Sequence, residues 1–302
     1  MEPITAVSVI YINVFSIVSG SFLNAASHVK IWNVLLEVDQ ELSTHFDGKI
    51  LVKTRNLFVK LLTVHFQPLF VFIWICYGRI TDPKYTSSRF GIFLLENVQR
   101  YHIGNLVVLM QHLKFSIKTQ FDNINEILKM YLNTDVSPTV LDVIRLRKAY
   151  VVLLEQMQNF NRVFGKTIFL FFFMGMISYL MCFSSITVSK TGHKLLQTAY
   201  YLSMTIINLF TILWMISIIA VTCGNTTRAA KETGPLCYAL CVELKRSNNS
   251  ELYDELLTFA RVASSSNPVV SAAGFFNVDH AMLSHIFTML ISYIIVVLQL
   301  YR

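Results

Sequence analysis

Apolar residues in this chain come in blocks, separated by stretches where charged and amide side chains return. Six blocks stand out: Ile4–Ala26, Leu57–Tyr77, Phe90–Leu113, Phe164–Val188, Thr198–Cys223 and His280–Tyr301. Each reaches the roughly 20 residues that a helix needs to cross a hydrocarbon core of about 30 Å. The pattern therefore predicts an all-α, polytopic membrane protein with six visible transmembrane helices. The first block is not a signal peptide: nothing basic precedes it, it is too long for the apolar region of one, and Asn13 interrupts it.

Between the third and fourth blocks the period changes. Ile117, Phe121, Ile124 and Leu128 recur at intervals of three and four within Phe115–Tyr131, and Leu146, Tyr150, Leu153 and Met157 do so within Val140–Phe160. Each stretch is a helix with one apolar face. Helices of this kind, extending from the spans into the cytosol, are expected to pack on one another as a collar beside the membrane. Asp135-Val-Ser-Pro138 supplies the turn between them.

Composition agrees with this pattern. Of 302 residues, 54% are hydrophobic and 14% charged, with a mean hydropathy of +0.53; an ordinary soluble domain carries about 25% charged residues. The net charge of +7 gathers in no long basic run, which argues against a nucleic-acid partner and for a sided distribution across a bilayer. Loops 27–56, 114–163 and 224–279 hold 16 Lys and Arg between them, against 6 on the opposite side. The basic set is expected to be cytoplasmic, which sends both ends of the chain outside. An external N-terminus with so few residues before its first span lacks a means of translocation. The parity thus predicts an N-terminally shortened form of a seven-span protein whose natural N-terminus is cytoplasmic. The sequons at Asn225 and Asn248 fall on the cytoplasmic side and are expected to stay unglycosylated.

The five cysteines, Cys76, Cys182, Cys223, Cys237 and Cys241, show no metal-ligand spacing and imply no disulfide framework. Cys237 and Cys241 share a helix face and are read as reduced thiols. The histidines form no metal cluster with acidic neighbours, and no nucleophile–base arrangement can be read. No catalytic residue, metal or cofactor is expected, and the chain is not read as an enzyme.

The final 35 residues are the most specific. Asn267-Pro268 ends a helix, Ala272-Ala-Gly-Phe-Phe276 and Asp279 follow, and the last span closes with Ser292-Tyr-Ile-Ile-Val-Val-Leu-Gln-Leu300. This resembles the C-terminal signature of the insect gustatory receptor family: Gly-x-Phe-x-x-Asp, then Thr-Tyr, five apolar residues and Gln-Phe. Gly274, Phe276, Asp279, Tyr293 and Gln299 match; Ser292 replaces Thr, and Leu300 replaces Phe. Phe121-Asp-Asn-Ile-Asn125 resembles the extension of that family's fourth span, and Leu146 to Phe164, with Asn161 and Phe164-Gly165, the lead into its fifth. The resemblance implies that residues 1–113 carry spans two to four, 114–163 a cytoplasmic helical extension, 164–223 spans five and six, 224–279 a cytoplasmic segment, and 280–302 the last span. It further implies a tastant-gated, nonselective cation channel in the plasma membrane of chemosensory neurons, a homo- or heterotetramer in the lipid bilayer with the last helix lining the pore.

On that helix, Ser292, Val296 and Gln299 recur at four and three residues and share one face, with Leu300 beside them at the outer end. An apolar ring at Val296 next to an amide ring at Gln299 suits a dewetting gate and a weak cation constriction. The competing reading has Gln299 snorkelling to the outer interface. For a small-molecule tastant, the outer halves of the spans offer Gln67, Phe70, Trp74, Tyr77, Asn97, Arg100, Tyr101, Tyr179, Tyr200, Tyr201 and Asn208, aromatic walls with a few polar points. Aromatic residues at span ends also serve as plain interface anchors. Glu96 and Arg100 stand four apart, within reach of an ion pair. A G-protein-coupled receptor would need a cytoplasmic C-terminus, against the charge count. A transporter would tend to show paired broken helices in repeated halves, and none can be found.

Overall fold

The computed structural model describes residues 25–46, 87–134, 137–188, 195–244 and 250–300. Within them lie six helices: α1 (Ala25–His45), α2 (Ser87–Asn133), α3 (Val140–Val188), α4 (Leu195–Leu244), α5 (Ser250–Ser265) and α6 (His280–Leu300). The proposed spans Ile4–Ala26 and Leu57–Tyr77 lie almost wholly outside the described residues.

Length decides the architecture. Helices α2, α3 and α4 run 47, 49 and 50 residues, about 70 Å each at 1.5 Å per residue. A bilayer core takes up less than half of that, so each helix can cross and continue as a collar element. The amphipathic stretches thus belong to the same helices as the spans, and they pack on one another. Two stretches, Val140–Ile177 and Phe210–Leu244, are long and apolar enough to cross a membrane by length and composition. Both reach into the collar, because a helix face buried in protein is as apolar as one facing lipid.

The core sits where the extensions meet. From α2 come Leu113, Ile117, Phe121, Ile124 and Leu128; from α3, Leu146, Tyr150, Leu153, Met157, Phe160 and Phe164; all are buried. Cys237, Leu240 and Cys241 of α4 and Leu252, Leu256 and Phe259 of α5 close it. Helix α4 lies along α2 as the most extensive pairing, and α5 folds back on α4. Buried polar groups set the register. The Asn125 amide donates to the Ala229 carbonyl at 2.8 Å and accepts from the Thr233 hydroxyl at 2.7 Å. The Tyr150 hydroxyl donates to the Ala230 carbonyl at 3.1 Å and meets Ser266 at the same distance, joining α3 to α4 and to the end of α5.

Two features depart from the sequence reading. Residues 25–45, placed mostly in a loop, form α1, whose Ile31, Leu35, Val38 and Leu42 are buried against α2 and α3. The segment before α6 is a two-stranded antiparallel hairpin, β1 (Ser271–Ala272) and β2 (Phe276–Asn277), rather than a simple helix break.

Candidate functional site

The last helix is built from its motif upward. Ala273 and Gly274 both adopt positive φ, 53° and 83°, to make the hairpin turn. At Gly274 a Cβ would meet nothing within 4 Å, so the glycine answers to the backbone angle and not to space. The Phe276 ring sits edge-on to Phe172 of α3 at 5.6 Å. Asp279 accepts the Met282 backbone N–H at 3.0 Å, capping the first turn of α6. The signature Gly-x-Phe-x-x-Asp is therefore a turn, a docking ring and a cap, which together fix where and how α6 starts.

Along α6 the inward side carries Met282, Ile286, Leu290 and Tyr293, each buried or half-buried. The opposite side is open in the single chain. There Ser292, Val296 and Gln299 are all exposed, Val296 to 50%. Thr288 and Ser284 are exposed one and two turns before Ser292 and extend the same polar row; neither stands out in the sequence. Thr288 and Ser292 each donate their hydroxyl to the carbonyl four residues back at 2.9 Å. Their oxygens are left free to accept, the state in which a hydroxyl can face a cation or water. Phe287, Ile291 and Ile295 flank this row and are 46–56% exposed. The side chain of Leu300 lies outside the described residues.

Of the proposed ligand contacts, Tyr179 on α3 is buried, at 6% exposure. Asn97, Arg100 and Tyr101 belong to α2, and Tyr200, Tyr201 and Asn208 to α4, by backbone; their side chains, with that of Glu96, lie outside the described residues. So do Gln67, Phe70, Trp74 and Tyr77.

Lys114, one residue past the proposed span Phe90–Leu113, is fully buried, its Nζ 4.0 Å from the centre of the Phe160 ring and without a hydrogen-bond partner among the described residues. Burial pushes its pKa down to about 8, with the nearby Cys223 acting in the opposite direction. By block length Lys114 opens the loop 114–163, yet it occupies the core stripe of α2 between Met110 and Ile117. Burial also raises the thiols of Cys237 and Cys241, which agrees with unreactive, reduced cysteines. Among the described residues no group of His, Cys, Asp and Glu could hold a metal ion.

Comparison with known proteins follows the same lines. The profile of the 7tm chemosensory receptor family matches residues 4–301. Among curated proteins none matches the chain by sequence. The insect olfactory receptor OR5 from Machilis hrabei, solved in complex with eugenol, shares 13% identity over 98% of this chain and 80% of its own, with a TM-score of 0.66. A second structure of that receptor shares 14% identity over 99% and 89%, with a TM-score of 0.58. At such identity the likeness speaks for the fold, and the profile, covering nearly every residue, speaks for descent: this chain belongs to the 7tm chemosensory receptor family, as a helical, multi-pass membrane receptor.

Proposed function

We propose that the chain is a gustatory receptor subunit, a tastant-gated, nonselective cation channel that assembles as a tetramer with α6 lining a central pore. The observation that carries this reading is the open side of α6. A helix in a single chain that leaves Ser284, Thr288, Ser292 and Gln299 exposed in one row with Val296 presents hydroxyl oxygens and an amide with hydrogen-bonding capacity that water can meet and lipid cannot. Symmetry-related copies around an axis would turn that row onto an aqueous path. Val296 then forms the apolar constriction and Gln299 the amide ring next to it. Sidedness follows from the basic loops: an external C-terminus and a cytoplasmic collar. The plasma membrane of chemosensory neurons is the location that the resemblance of the C-terminal signature implies.

The OR5 complex contains eugenol, and an odorant ligand is the second reading for this chain. Gustatory assignment rests on the C-terminal signature, Gly274 to Leu300. Currents recorded from Gln299→Ala and Val296→Ala channels test the pore. The expected outcome is altered relative permeability for the first and a raised resting current for the second. Unaltered permeability and gating in both would remove α6 from the ion path.

A further inference from the structure

Within the chain, residues 266–279 form the link from α5 to α6, and three separate attachments hold that link to one face of α3. The Asn161 side-chain amide donates to the Val269 carbonyl at 2.8 Å and accepts the Ser271 backbone N–H at 3.3 Å. It thus stands in for a neighbouring strand. One turn along, a Cβ on Gly165 would lie 3.0 Å from the Ala273 nitrogen and 3.1 Å from the Ser271 oxygen, so the hairpin backbone rests directly on the helix. One turn further, Phe169 stacks on Phe275 at 4.5 Å, and Phe172 meets Phe276. The Val278 N–H returns to the Val270 carbonyl at 2.8 Å, closing the link on itself just before Asp279 caps α6.

These contacts are spaced at 161, 165, 169 and 172, a single stripe of α3. Continued by whole turns, the stripe reaches Tyr179, the one proposed ligand contact whose side chain is described. It lies 18 residues from Asn161, which is five full turns and about 27 Å on the same face. Helix α3 is unbroken over that interval. The unbroken helix is the rigid element through which a shift or rotation of α3 at Tyr179 would reach Asn161 and Gly165, and from there the turn that starts α6.

We propose that the hairpin is the coupling between α3 and the pore helix, and that Asn161 and Gly165 are the positioning residues that make it rigid. The proposal rests on the channel reading above. It calls for the whole chain expressed in cells, challenged with eugenol, with sugars and with bitter alkaloids, and recorded at matched surface labelling. Asn161→Asp keeps the acceptor for Ser271 but sets a carboxylate oxygen against the Val269 carbonyl; Asn161→Ala removes both bonds; Gly165→Ala pushes the hairpin off the helix. Each is expected to raise the half-activating concentration about tenfold, the scale of a typical coupling between sites, with unitary conductance and relative permeability unchanged. A purely structural clamp would lower surface labelling and leave the dose–response alone. That result, or unaltered dose–response curves in all three variants, overturns the coupling while the channel reading stands. No evoked current from the unmodified chain to any of the compounds removes the channel reading and the coupling with it.

Discussion

Lys114 shows how a single residue can oppose its surroundings. An ammonium buried without a carboxylate costs several kcal/mol, and the Phe160 ring returns about 2 kcal/mol by cation–π attraction. With a folded-state pKa of about 8 against an ordinary 10.5, the folded protein holds this proton less tightly than the unfolded chain. The unfolded chain therefore binds more protons between those values, and stability rises as pH climbs from 8 towards 10.5. Below pH 8 both forms are charged and the penalty is present in full, on the order of 3 kcal/mol from the size of the shift. Lys114→Met is expected to raise the melting temperature of the detergent-solubilised protein at pH 7 and to flatten its rise between pH 8 and 10. Melting curves of the two proteins across that range check this; parallel curves at every pH would show that the ammonium carries no penalty. Its position could have been read from the sequence, since Met110, Lys114, Ile117 and Phe121 follow one helical stripe. Its burial could not, because a lysine at a span end is ordinarily free to snorkel.

At the scale of elements, Asp135 and Val136 of the turn expected between α2 and α3 lie outside the described residues, and the start of α3 just after it has explicit chemistry. Asp142 accepts the Thr139 backbone N–H at 3.1 Å, and Thr139 Oγ1 accepts the Asp142 N–H at 3.2 Å, a reciprocal cap at the start of α3. The Tyr131 hydroxyl approaches the same carboxylate at 3.4 Å, and burial together with that charge pushes its pKa up to about 12. Thr139→Ala is expected to cost about 1 kcal/mol, measured as a lower melting temperature, with ligand response unaffected because the cap lies at the far end of α3 from α6. The hairpin before α6 was not legible. Ala272-Ala-Gly-Phe-Phe276 has no alternation of apolar and polar positions, and its two-residue strands exist because Asn161 and Gly165, more than a hundred residues earlier, hold them. Helix α1 lies between these cases: Ile31, Leu35, Val38 and Leu42 have the right spacing, but the charges around them made the segment read as a loop.

For the whole molecule, the sided distribution of Lys and Arg makes the sharpest expectation. An epitope added after Arg302 should be labelled on intact cells, and Asn225 and Asn248 should show no glycan by mobility shift; a masked epitope or a shifted band would reverse the topology. The long helices explain why a span count says less than the architecture. One 50-residue helix serves as membrane crossing and collar together, so the boundary between the two leaves no break in secondary structure.

Periodicity and block length determined that this chain is helical, that it crosses a membrane repeatedly, that its later spans continue as amphipathic helices, and that its last 35 residues form a distinct unit. Those properties are local: each is set by residues within a few turns of one another, and so each leaves a pattern along the chain. Tertiary structure decided which apolar stripes meet, that Lys114 is enclosed, that Asn125 and Thr233 lock α2 to α4, and that the motif before α6 is a hairpin clamped on α3. Each of these depends on partners distant in sequence, where a hydrogen bond or a close backbone approach is fixed only once two helices have taken their register.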